Sequence, residues 1–200
     1  MPSPTATKHS KRDEIVEIAS LLFYRQGYGA TGIKQIIEQA GIAKGTFYTH
    51  FKSKEDLGVE WLKSRHIQWN TWLNDSLKPA EGSGAKILAA FTFLASWLKE
   101  SNYRGCAFLN TMAETPDASS PMRREVVEHK RQLHQTFQSL MADHFKNEDV
   151  SEEFVIQKAG AAFLLFEGAL VETQNFEDPL PITVALKEVQ SMLQFKNHKS

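Results

Sequence analysis

An all-α protein of about nine helices is the architecture that these 200 residues predict. Two observations lead there. Apolar residues recur at three- and four-residue spacing in segment after segment, the period of an amphipathic helix. Alternation with β-branched enrichment, the mark of a half-buried strand, is nowhere sustained. The breaks between periodic stretches fall where Gly and Pro gather, and this places the turns.

Ile15, Ile18, Ala19, Leu22 and Phe23 share one face of a first helix, which Gly27 and Gly29 end. Thr31 then offers a hydroxyl ahead of Ile33, Ile36, Ile37 and Ala40, a second short helix stopped by Gly41. Ile42, Phe47 and Phe51 mark a third, from about Lys44 to Phe51. Ser53 followed by Asp56 resembles an N-terminal capping pattern and opens a long fourth helix to about Leu77. The strongest linker signal is Lys78-Pro-Ala-Glu-Gly-Ser-Gly84. Helices are then expected over about Ala85 to Glu100 and from Gly105 to about Glu114, with a turn from Thr115 to Pro121. Three more follow, at about Met122 to Lys146, Ser151 to Thr173 and Ile182 to Phe195. The reading divides the chain into a small head, residues 1–55, and a larger helical domain, residues 56–200.

Composition bounds the function. Hydrophobic residues make up 42% and charged residues 24%, which suits a globular domain and excludes wholesale disorder or a collagen-like fibre. Lys and Arg number 23 against 24 acidic residues, which argues against a nucleic-acid coat or a membrane-surface protein but allows a local basic face. Cys106 is the single cysteine, so no internal disulfide framework is possible and a reducing cytoplasm is the simplest home. The stretch Ile87 to Leu98, read as the longest apolar run, is too short to span a bilayer, so no membrane is expected. Met1 to Lys11 is polar without an apolar core, and is expected to be a flexible arm rather than a signal peptide.

Residues 31–51 read Thr-Gly-Ile-Lys-Gln-Ile-Ile-Glu-Gln-Ala-Gly-Ile-Ala-Lys-Gly-Thr-Phe-Tyr-Thr-His-Phe. Two short helices separated by a Gly-containing turn form the helix-turn-helix pattern. Ile36, Ile37 and Ala40 are expected to pack against Ile42 and Phe47, and Gly41 permits the turn. That leaves Lys44, Thr46, Tyr48, Thr49 and His50 facing outward, an unusual set for a helix that needs only solubility. From Thr31 to Lys54 the net charge is +3 in a chain of net charge -1, and Lys8, Lys11 and Arg12 add to it. Cations and hydroxyls near a helix N-terminus are what phosphate contact requires.

The run Ala-Gly-Ile-Ala-Lys-Gly-Thr-Phe-Tyr-Thr-His-Phe-Lys-Ser-Lys-Glu-Asp-Leu, within about Lys11 to Leu57, resembles the TetR family of ligand-responsive transcriptional repressors. The resemblance implies a homodimer bound to a near-palindromic operator in double-stranded DNA and released by a small effector. It implies phosphate contacts from Thr31, Tyr48, His50 and Lys54, with Lys44, Gly45 and Thr46 entering the major groove and Ala43 touching a base edge. Phe47 and Phe51 are core. Helix 3 carries no Arg, Asn or Gln, so backbone contacts and DNA shape are expected to supply much of the specificity.

In the larger domain, Gly160, Ala161, Gly168 and Ala169 line the eighth helix with small residues, and the resemblance makes this helix part of a dimer-forming four-helix bundle. It also implies an apolar effector cavity, with Trp61, Phe91, Phe108, Met112, Phe137 and Phe163 as candidate lining and a hydrophobic or aromatic ligand. Aromatics at helical spacing also build cores, so each side chain carries both readings. Cys106 reads as a buried small residue or as a thiol sensor helped by Arg104. Glu125, His129, His134 and His144 share one long helix without an evident third metal ligand, which favours a solvated face. No Gly-rich phosphate loop, HExxH pair or nucleophile elbow is present, so neither a metal, a cofactor nor an enzyme is expected. The competing reading is a helical enzyme or ligand carrier with a vestigial head, against which Lys44, Thr46, Tyr48 and Lys54 stand.

Overall fold

A computed structural model describes residues 10–194; the arm with Lys8, and Phe195, lie outside them. Nine helices and no strand occur among the described residues. They are α1 (Lys11–Gln26), α2 (Ile33–Gln39), α3 (Lys44–His50), α4 (Lys54–Leu77), α5 (Ser83–Glu100), α6 (Ala107–Glu114), α7 (Pro121–Phe145), α8 (Glu152–Phe176) and α9 (Leu180–Leu193). Helix α5 begins inside the expected linker, with Gly82 at φ 80° just before it.

The described chain forms two compact units. One holds the chain up to His66 together with Ala107–Val126, and the other holds Ile67–Cys106 and the chain from Val127 on. The first unit therefore recruits α6 and the start of α7, which are distant in sequence. The expected boundary at residue 55 rests on the helix-turn-helix motif, and these units are drawn on compactness.

In the first unit α1 starts with a reciprocal cap: the Ser10 hydroxyl accepts from the Asp13 N–H, and the Asp13 carboxylate accepts from the Ser10 N–H. Such a cap is worth about 1 kcal/mol. The chain leaves α1 through Gly27 at φ 99°, a conformation that side chains resist. Ile15, Ala19 and Phe23 bury one face of α1, and Ile36, Phe47 and Leu57 are fully buried on the helices that follow. Each such side chain contributes roughly 1.5–3 kcal/mol on burial. Phe23 packs at 5.1 Å from Trp61, so α4 closes this small core. The Asp56 N–H donates to the Ser53 hydroxyl at 3.0 Å, as the capping pattern predicts.

In the second unit α5, α7, α8 and α9 share an apolar core. Phe91, Phe137 and Phe166 meet there, with ring centroids 5.4–6.2 Å apart. Helices α8 and α9 form the most extensive helix pair. By length and composition alone, α8 is apolar enough to cross a membrane. The stretch Ile87 to Leu98, expected as the longest apolar run, lies in α5 instead.

Candidate functional site

Helices α2 and α3 are joined through Gly41 at φ 59°, a left-handed residue in the turn where the motif needs one. Phe47 is buried on the inner side of α3 and stacks edge-on to Tyr48 at 5.2 Å. Ala43, Lys44, Gly45 and Tyr48 are exposed, while Thr46 and His50 are half-buried. The Lys44 ammonium lies 6.0 Å from the centre of the Tyr48 ring, one turn along the same face. The Thr49 hydroxyl donates to the Gly45 carbonyl at 2.9 Å and is thereby turned toward the helix.

Gly45 has no reason to be glycine inside the folded unit. A Cβ built there meets no atom within 4 Å. Glycine inside a helix costs about 1 kcal/mol relative to alanine. The space it opens faces away from the core, beside Lys44 and Tyr48.

Two other candidates differ from their expected presentation. Thr31 is fully buried; its hydroxyl donates to the Gly27 carbonyl at 2.7 Å and accepts from the Gln26 amide at 3.1 Å. It serves the α1–α2 connection and does not offer its hydroxyl to solvent. Lys54 is half-buried, with its ammonium 4.3 Å from the Tyr28 ring centre and donating to the Gly29 carbonyl at 3.4 Å. Burial lowers the Lys54 pKa, against the opposing charge of Glu114. Burial, then Glu55, pushes Tyr28 up to about 12.

The six candidate lining residues are divided equally between the two units. Trp61, Phe108 and Met112 belong to the first unit, where Trp61 and Phe108 are each 2% exposed. Phe91, Phe137 and Phe163 belong to the second, where the first two are core and Phe163 is half-buried against His134 at 4.9 Å. Burial leaves the indole N–H groups of Trp61 and Trp69, and the hydroxyls of Thr111 and Thr173, without a hydrogen-bond partner among the described residues.

His129 corrects the expectation of a solvated face: it is 2% exposed and lies 6.2 Å from the Trp69 ring. No group of three metal-binding side chains occurs among the described residues. The cation found at Cys106 is Lys130, whose ammonium stands 3.7 Å from the sulfur and bonds both Glu167 carboxylate oxygens at 2.6 and 2.8 Å. Burial pulls Lys130 down, but Cys106 and Glu167 outweigh it and hold the ammonium above the ordinary lysine value. Sequence reasoning missed Lys130. The available signal was its place on the apolar stripe of α7, between Val126, Leu133 and Phe137.

On α8 and α9, Leu164, Phe176, Leu180 and Val184 are 69%, 71%, 61% and 51% exposed. They flank a shallow groove of about 410 Å³ floored by Gly168 and Ala169. Gly160 and Gly168 each look onto open space. Gly168 is exposed, Gly160 and Ala161 are half-buried, and Ala169 is buried.

A helix-turn-helix head with an outward cationic and phenolic face defines a DNA-binding regulator. The chain belongs to the TetR family: the family described as bacterial regulatory proteins, tetR family, matches residues 15–60, and the tetracyclin repressor-like C-terminal domain matches residues 84–189. It is 24% identical over 192 residues to the HTH-type transcriptional repressor NemR of Escherichia coli, covering 94% of this chain and 96% of that one. It is 33% identical over 97 residues to the HTH-type transcriptional repressor KstR2 of Mycolicibacterium smegmatis, covering 45% and 46%. Among solved structures, SCO4454, a TetR-family transcriptional regulator from Streptomyces coelicolor, superposes with a TM-score of 0.83 at 25% identity over 94% of this chain and 90% of that one. The reduced form of Escherichia coli NemR shares the fold with a TM-score of 0.76 at 22% identity, over 92% and 97%.

Proposed function

We propose that this regulator is a cytoplasmic repressor, not an enzyme, that binds a near-palindromic operator as a homodimer and leaves it when a small effector occupies the C-terminal domain. The observation that carries the reading is the open face of α3. Gly45 admits a close approach that no part of its own unit uses, and Lys44 and Tyr48 flank it. Ala43, Thr46, His50 and Lys54 complete the contact in this reading, and Thr31 acts by fixing the start of α2. The relatives named as repressors support the sign of control.

The head, residues 1–55, reads DNA; residues 56–200 dimerise and sense. The groove over Gly168 is the seat of the second copy, because apolar side chains this exposed are stabilised by cover. The effector is hydrophobic or aromatic and opens its site beside Phe91, Phe137 and Phe163. It must bind the DNA-incompetent state more tightly, since equal affinity shifts nothing. Selection of duplexes from a random pool, followed by titration across salt, tests the reading. A steep negative dependence on salt is expected, and absence of any selected duplex overturns it.

A second reading has its own observation. Reactive cysteines occupy cationic surroundings, and Lys130 lies at the Cys106 sulfur. In this reading the thiol is a sensor whose modification disturbs the part-buried Lys130–Glu167 pair. Alkylation with N-ethylmaleimide should release selected DNA from the parent but not from Cys106→Ser; unchanged affinity of the alkylated parent removes the idea.

A further inference from the structure

Helix α6 and the segment after it belong to the same compact unit as the head, and they hold it at two points. The first is the turn between α1 and α2. The Gly29 N–H donates to the Glu114 carboxylate. A Cβ at Gly27 or Gly29 would stand 3.0 or 3.1 Å from that carboxylate, so both glycines leave room for it. The second point is the start of α4. The Ser120 hydroxyl donates to Glu55 at 2.8 Å, and the Met122 side chain fills the space over Gly58 beside Tyr28.

Lys54 sits between these holds. Its ammonium donates to the carbonyl of the same Gly29 whose N–H reaches Glu114, and it lies against Tyr28. No ion pair joins Lys54 to Glu114 among the described residues, yet the carboxylate is near enough for its charge to act on the ammonium. A phosphate arriving at Lys54 therefore meets a fixed negative charge already in place.

We propose that Glu114 is a positioning residue for the DNA interface that acts through Lys54: it pins the Gly27–Gly29 turn and competes with backbone phosphate for the Lys54 cation, so that it restrains the affinity of the head for duplex. The inference rests on the DNA-binding reading. Charges near a protein surface act on one another more strongly at low salt than at high salt. Glutamine at 114 keeps an oxygen for the Gly29 N–H and removes the charge.

The test is duplex binding by the full-length parent, Glu114→Gln, Lys54→Gln and the double variant, on a duplex selected with the parent, at low and at high salt. Glu114→Gln should bind about three- to tenfold tighter at low salt, with the gain shrinking as salt rises. In the Lys54→Gln background the gain should vanish. A merely structural Glu114 would instead weaken binding whatever stands at position 54. Equal or weaker binding by Glu114→Gln, or a gain that persists without Lys54, overturns the proposal. Thermal unfolding checks each variant. If Glu114→Gln does not fold, Glu114→Asn, which also keeps an amide oxygen and removes the charge, runs the same cycle with the same two outcomes. A parent that selects no duplex removes the DNA-binding reading itself, whereas a parent that binds while Glu114→Gln gains nothing removes this inference alone.

Discussion

Gly45 on α3 and Gly168 on α8 are both glycines within helices, and both look onto open space. Their neighbours differ. Gly45 lies beside Lys44 and Tyr48 in a stretch with excess positive charge, while Gly168 lies among Leu164, Phe176 and Val184. The same backbone device thus permits close approach in two places, and the surrounding side chains decide what approaches. Cations and hydroxyls suit a phosphate backbone. A broad apolar face suits a second copy of itself. The comparison also separates what each glycine costs its own fold from what it provides to a partner.

The largest effect is expected where charge enters the apolar face. Leu164→Asp combined with Val184→Asp should turn the dimer into a monomer by sedimentation, because an uncompensated charge in a desolvated contact costs about 3–5 kcal/mol. Operator affinity should fall with it, while the isolated chain keeps its helical content. A dimer that survives both substitutions would show that this face does not join the two copies.

Next in size is the part-buried ion pair that joins α7 and α8. Lys130→Met strands the Glu167 carboxylate and should destabilise the protein by about 3–5 kcal/mol in denaturant unfolding. The sign with pH follows from the raised Lys130 value. Stability from this pair is fully present below the unfolded lysine pKa of about 10.4 and is lost as pH rises through the folded value. Lys130→Met should lack that alkaline loss, and a parent with no alkaline loss contradicts the assignment.

Alanine at each of the two glycines should act on a different partner. Gly45→Ala should raise stability by about 1 kcal/mol and weaken duplex binding without changing the dimer constant. Gly168→Ala should stabilise the monomer by a similar amount and weaken the dimer instead. If Gly45→Ala binds duplex as tightly as the parent, the open space at α3 serves no close approach.

The smallest effect concerns the head alone. The Arg12 guanidinium, bonded to Glu60 at 2.5 Å, holds the Glu60 carboxyl below the usual range against the opposing effect of burial, with help from Lys63. Stability from this pair is present above the unfolded glutamate value and is lost as pH falls through the lower folded one. Arg12→Gln should reduce that acid sensitivity in thermal scans; an unchanged acid limb would show that the pair contributes nothing.

Much of the head was legible because its constraints are local. Gly41, Phe47 and the Ser53–Asp56 cap act within a few residues, so spacing reveals them. Helix periods likewise placed all nine elements, since burial of one face writes itself into the sequence every three or four residues. What escaped was long-range. Nothing near Glu114 announces its bond to Gly29, 85 residues away, and the Lys130–Glu167 contact joins two helices. Thr31 is a local exception: its carbonyl partner Gly27 is only four residues away, but the bond depends on the turn that Gly27 makes at φ 99°, which spacing does not reveal.

The central claim is that the face of α3 around Gly45 is the surface that grips duplex phosphates. Its most direct test is the salt-dependent affinity of Lys44→Ala with Tyr48→Phe on a duplex selected by the parent. A loss of roughly 10- to 100-fold is expected, with a shallower dependence on salt, by about 0.9 for the lost cation. Affinity and salt dependence equal to those of the parent would contradict it.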